Sequence, residues 1–145
     1  MPISIGHYLT DGCKITKVKD YSSANTSAIV SDEIDMAGFE GIVFLTSYGT
    51  AAANNLVTVY AGDTSGATAA TTTTCTSGTS DEDIVIDLFR PGYRYLTFSA
   101  ARGTSSVLEC MWAIQYGARS KPQLTATDVS GTAQVAQANG VTLAS

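Results

Sequence analysis

Along Val107–Tyr116, apolar and polar positions alternate with a period of two. Leu108, Cys110, Trp112, Ile114 and Tyr116 fall on one side, and Glu109 and Gln115 on the other. That period belongs to a strand with one buried face. It predicts that Leu108, Trp112 and Ile114 point into a core. Ile84–Phe89 and Tyr93–Phe98 read the same way, joined at Arg90-Pro91-Gly92, where Pro presets φ and Gly can take a positive φ. Leu56–Tyr60 is a further strand, stopped by Gly62-Asp63. Ile42–Thr46 is apolar on both faces and predicts a central, fully covered strand.

The remaining segments are weaker. Cys13–Lys19 places Ile15 and Val18 out of strict alternation, which predicts a bulge or an edge position, with three lysines discouraging edge pairing. Tyr21–Ser27 reads as a loop and Ala28–Val30 as a short run. Gly38 and Gly41 flank Phe39 and predict a tight turn that fixes an aromatic at the sheet end. Residues 62–80 are Thr-, Ser- and Gly-rich, so Ala70–Thr76 is either an edge strand or an unordered loop. Beyond Pro122 the large apolar residues give way to Ala, Thr, Gln, Val and Gly. About eight strands and no helix predict an all-β chain. The expected architecture is a single β-sandwich, jelly-roll-like, over residues 1–122, with an extended C-terminal arm at 123–145. Trp112, Ile114, Leu108, Leu96, Phe98, Ile86 and Phe44 are its expected core.

Charge and composition narrow the function. The formal net charge is −5, against the clustered Lys and Arg of a nucleic-acid surface. Lys14, Lys17 and Lys19 lie early, and Arg90, Arg94, Arg102, Arg119 and Lys121 late; both groups read as solvated faces or contacts to an acidic protein partner. Cys13, Cys75 and Cys110 form no CxxC pair, which suits a chain made in a reducing cytoplasm, with Cys110 as a small buried hydrophobe. The first residues show no signal-peptide pattern, and no apolar run approaches the ~20 residues that span a bilayer. A soluble chain without membrane attachment is expected.

No constellation of reactive residues emerges. His7 is the single histidine and lies outside any nucleophile motif, so a Ser-His-Asp or Cys-His arrangement has little to build on. Zinc would need several spaced Cys or His ligands. Asp32, Glu33 and Asp35, and Asp81, Glu82 and Asp83, lack the EF-hand spacing for calcium and read as acids keeping strand ends wet. Asn25-Thr-Ser27 fits the N-glycosylation pattern, but without a signal peptide it has no route to use. Catalytic residues, cofactor and metal ligands are therefore expected to be absent.

Three stretches, Asp35–Phe44, Asp87–Tyr95 and Trp112–Pro122, resemble in order and texture the decoration (cement) proteins of tailed-bacteriophage heads. The resemblance spans roughly residues 30–122 and leaves 62–80 and the last 23 residues unmatched. It implies a non-enzymatic virion protein on the outer capsid surface. Such a protein, commonly a homotrimer, stabilises the shell by bridging major capsid subunits. The terminal segments 1–12 and 122–145 would then be adaptable contacts. A tail or neck component, or a carbohydrate-binding β-sandwich used in attachment, stands as the alternative.

Overall fold

The structure, a computed structural model, describes residues 9–119 other than 54, 67–69 and 77–78. The expected arm at 123–145, most of the segment 1–12, and His7 lie outside the described residues. Among the described residues one helical turn, α1 (Leu9–Gly12), precedes eleven strands. These are β1 (Lys14–Lys19), β2 (Ser22–Asn25), β3 (Ile29–Val30), β4 (Ile34–Asp35), β5 (Gly41–Thr50) and β6 (Leu56–Gly62). They continue with β7 (Ala70–Thr76), β8 (Asp83–Phe89), β9 (Tyr95–Ala101), β10 (Ser106–Leu108) and β11 (Met111–Tyr116).

All pairings are antiparallel, and several short strands are pieces of one rung. β1 and β2 run in succession along β11 and β10, and β3 and β4 run in succession along β9. Merged this way, one sheet has the order β8, β5, β11/β10, β1/β2, and the other β7, β6, β9, β3/β4. Among the described residues the first rung pairs with the last, the second with the seventh, the third with the sixth and the fourth with the fifth. That nesting, with four strands to a sheet, is the jelly roll. Ala70–Thr76 takes the edge-strand alternative, paired with β6 alone. β1 is an edge strand whose register shifts between Lys17 and Lys19.

The core lies between the sheets. Ile42, Phe44, Tyr48, Ile84, Ile86, Leu108, Met111 and Ala113 fill it from one side, and Val57, Val59, Leu96, Phe98 and Ala100 from the other. Phe44 and Phe98 stack across the gap with ring centroids 3.9 Å apart. Two polar groups also cross it: Tyr48 donates its hydroxyl to Ala101 O at 2.6 Å, and Gln115 donates Nε2 to Asp35 O at 2.8 Å.

The alternation read over 107–116 needs correction. Leu108 is buried, but so are Met111, Ala113 and Gln115, while Trp112 is 42% exposed and Cys110, Ile114 and Tyr116 are half-buried. The cause is a bulge. Leu108 pairs with Tyr48 and Trp112 with Leu45, so the later strand spends one residue more than β5 over the same stretch. An extra residue reverses the face of everything beyond it. Thr46, opposite the bulge, donates its hydroxyl toward Cys110 O at 3.3 Å.

Three further expectations change. Ser22–Asn25, read as loop, forms β2 against β10. β5 is central but covered on one face only, leaving Val43 and Leu45 half-buried on the outside. Arg102 is not on a solvated face: it is 8% exposed and its guanidinium donates to Ser27 O (2.7 Å), Ser23 O (2.8 Å), Ser22 Oγ (3.1 Å) and Ser106 O (3.3 Å). Four acceptors from three segments satisfy a buried cation without a carboxylate. Beside it Asn55, also buried, accepts from Gly103 N at 2.6 Å and donates Nδ2 to Ser106 Oγ at 3.0 Å. Together these side chains seal one end of the sandwich.

Candidate functional site

The opposite end is open. Residues 36–40, 90–94 and Arg119 line a cleft of about 500 Å³. Each segment follows or precedes a core strand and is held by backbone hydrogen bonds. Met36 N donates to Arg94 O (2.7 Å), Arg90 N to Glu40 O (2.7 Å), Glu40 N to Tyr116 O and Arg119 N to Gly38 O (both 3.0 Å). Gly38 (φ 86°) and Gly92 (φ 81°) take left-handed conformations that turn the chain here. Arg90 shares that region at φ 50°, where a side chain is disfavoured, and its amide bond to Glu40 keeps it there.

Three arginines define the electrostatics. Arg94 grips Asp35 with two bonds of 2.9 Å, and Asp35 also accepts from Ala37 N at 2.9 Å. The Arg94 guanidinium, with help from that amide, holds the Asp35 carboxyl below its ordinary range. Arg90 meets Glu40 at 3.3 Å. Arg119 has no ion pair among the described residues. The cleft thus carries one cation more than it neutralises, beside the apolar side chains of Met36, Phe39, Pro91 and Tyr93. Chemically it suits a carboxylate-bearing surface with some apolar character. Described residues of three stretches far apart in the chain, 35–44, 87–95 and 112–119, meet at this cleft.

A second feature is the outer face of the sheet containing β5. Leu45, Thr46, Ser47, Val85, Cys110 and Trp112 are among the residues around a shallow depression of about 320 Å³. Tyr116 lies across Gly41 on this face and donates its hydroxyl to Asp87 at 2.7 Å. That bond raises the Tyr116 pKa to about 12.

The other sequence candidates are dispersed. Glu33 accepts from Ser65 Oγ and Gly66 N, both at 2.6 Å, and so fastens a turn. Asp35 belongs to the cleft. Asp81 adopts φ 60° and donates its amide to Tyr48 O at the strand's far end. Asn25 accepts from Thr26 N and Ser27 N, capping its own turn. Cys13 is buried, which pushes its thiol pKa up, and Cys110 is half-buried. The Cys75 side chain lies outside the described residues. Among the described residues no group of three or more His, Cys, Asp or Glu side chains is placed to hold a metal. No helix among them is long and apolar enough to cross a membrane.

No family model matches the sequence, and no curated protein matches it. Among solved structures the chain is similar to one from work on Bacillus endospore appendages, described there as a novel family of disulfide-linked pili. The identity is 14% and the TM-score 0.47, with 80% of this chain and 95% of the other covered. A likeness at that level says nothing of this chain's activity, and the fold rests on the strand ladders themselves.

Proposed function

We propose that the protein is a non-enzymatic assembly subunit of a phage virion. In this reading it is a capsid decoration, or cement, protein that seats on the outer shell as a homo-oligomer and bridges major capsid subunits. The observation that supports this is the convergence of the three family-like stretches on the arginine-lined cleft, which offers an acidic protein surface its contacts. Binding to the assembled shell alone shifts the equilibrium away from disassembly. Repetition over many symmetry-related sites lets modest individual contacts add up.

The test is co-sedimentation of purified protein with shells that lack it. Full-length protein should pellet with the shells, less so at high salt because exposed charge contacts are screened. Arg119→Glu, far from the core, should reduce pelleting without changing the circular dichroism spectrum. Failure of the full-length protein to bind such shells, together with retention on a glycan array, would replace this reading with the carbohydrate-binding one.

A further inference from the structure

We propose that the outer face of the β5 sheet is a self-association surface, on which a second copy of this chain packs face to face about a two-fold axis parallel to the strands. The first argument is the pattern of burial. In an antiparallel sheet with one wet face, apolar residues should alternate with polar ones. The two middle strands do not obey this. Val43 and Leu45 on β5, and Trp112 and Ile114 on β11, face outward while Ile42, Phe44, Met111 and Ala113 fill the core. Directly opposed residues share a face, so the registers assemble them into rows. One row reads Val85, Leu45, Trp112, Lys17, and the next Asp87, Val43, Ile114, Ile15. Val85 is 56% exposed and Trp112 42%. A contiguous apolar patch of this kind, rimmed by charge, marks an interaction surface.

The second argument identifies the occupant. The rim carries two aspartates along one side and a lysine along the other. β8 carries Asp83 and Asp87 outward, between the buried Ile84 and Ile86. β1 carries Lys17 outward, opposite Trp112 and within 2.6 Å of Asp20, before the register shift that sets Lys19 opposite the buried Met111. A two-fold axis parallel to the strands keeps every row level and reverses its order. It sets Leu45 against Trp112 of the second copy, and Val43 against its Ile114. It also lays β8 over β1 of the second copy, so each Lys17 faces Val85, with Asp83 and Asp87 two positions to either side of it, twice by symmetry. Lysine stems can cover Val85 while their ammonium groups reach the carboxylates. An axis across the strands would instead put β8 on β8, acid against acid. The face is therefore complementary to itself in one orientation.

Four strands spaced ~4.8 Å apart and about six residues long give a footprint of about 20 Å by 20 Å. That is about 400 Å² a side, half the roughly 800 Å² a side of a standard interface, so the dimer should be weak, reversible and dependent on concentration. It pairs copies in twos, where the family resemblance implies threes.

Sedimentation velocity on the full chain, from a few micromolar to several hundred, reads this directly. The expected result is a monomer–dimer equilibrium. Trp112→Glu and Val85→Lys, both at exposed positions, should each weaken it by roughly tenfold or more with the circular dichroism unchanged. Asp83→Lys should weaken it, and adding Lys17→Asp should restore it. A monomer throughout the range, a trimer, or a dimer that survives Trp112→Glu overturns the proposal. Failure of the charge-swapped double variant to recover overturns the two-fold arrangement. Shell binding is read separately on Arg119→Glu, so the two proposals fail independently.

Discussion

Two aromatic residues that the sequence pattern places in the same core should respond in opposite ways to truncation. Phe98 is fully buried and its ring stacks on Phe44 from the other sheet, at 3.9 Å between centroids. Phe98→Ala empties a site between two sheets that strand ladders hold in place, so little collapse can refill it. The expected cost is about 3–5 kcal/mol, the usual range for such cavities. About 0.5–1.5 kcal/mol of that is the lost ring stack. Against a total stability of about 5–15 kcal/mol this is a large fraction, and it should lower Tm by roughly 6–20 °C. Trp112 is 42% exposed on the outer face. Its truncation gives up only part of an apolar burial worth about 1.5–3 kcal/mol, leaving a cost of about 1 kcal/mol. Urea unfolding followed by far-UV circular dichroism, at protein concentrations too low for self-association, compares the two variants. Dichroism is needed because Trp112 is the single tryptophan of the chain. If Trp112→Ala costs as much as Phe98→Ala, the reversal of face at the Cys110 bulge is wrong.

Three more outcomes are expected. Burial raises the Tyr48 pKa to about 12, so the folded state binds a proton that the unfolded chain releases near pH 10. Stability should be intact below about pH 10 and fall from there towards pH 12; Tyr48→Phe should remove that tyrosine's share of the slope and cost about 1 kcal/mol at neutral pH, both read by chemical denaturation across pH. The Asp35 carboxyl is held below its ordinary range by Arg94, so its contribution is present above about pH 4 and is lost as pH falls through the lowered folded value; Asp35→Asn should flatten that acid limb of the Tm profile. Thr16 buries a hydroxyl with no partner among the described residues, so Thr16→Val should leave stability unchanged or raise it by up to about 1 kcal/mol in urea unfolding.

The long strands were legible because their chemistry is local. β5, β6, β8 and β9 combine β-branched or aromatic residues with a period of two or a continuous apolar run, bounded by Gly, Pro or Asp. β2 and β4 were not, being four and two residues long and held by what lies across from them. Ser22 and Asn25 pair with Leu108 and Ser106, and Arg102 bonds the carbonyls beside them. No alternation within Ser-Ser-Ala-Asn announces that. The face of Trp112 was misread because a bulge leaves no mark in composition: Glu109 and Cys110 fit the pattern on either side of it. The cleft was invisible for a different reason. Its arginines come from positions 90, 94 and 119, and only the folded turns bring them to one rim. The outer apolar face did leave a signal. Ile42-Val43-Phe44-Leu45 is apolar without interruption, and such a run asks for cover on both sides.

The nested pairing of the jelly roll also sets when the protein can fold during its own synthesis. β11 lies between β1 and β5, so the sheet that holds β5 has a gap at its middle until residues 111–116 have left the ribosome. The inner ladder of β6 and β7 can form early, being close in sequence. The outer turns of the roll must wait for partners some hundred positions away. Pairing over such distances is slow, because the entropy of closing the loop is lost before the contacts form. Until then Ile42, Phe44 and the unpaired edges of β1 and β5 are open to other chains at the same stage. Truncations that stop short of Tyr116 should therefore yield aggregates rather than smaller domains, while the same sequence released whole can zip outward from β6 and β7 and close with β11.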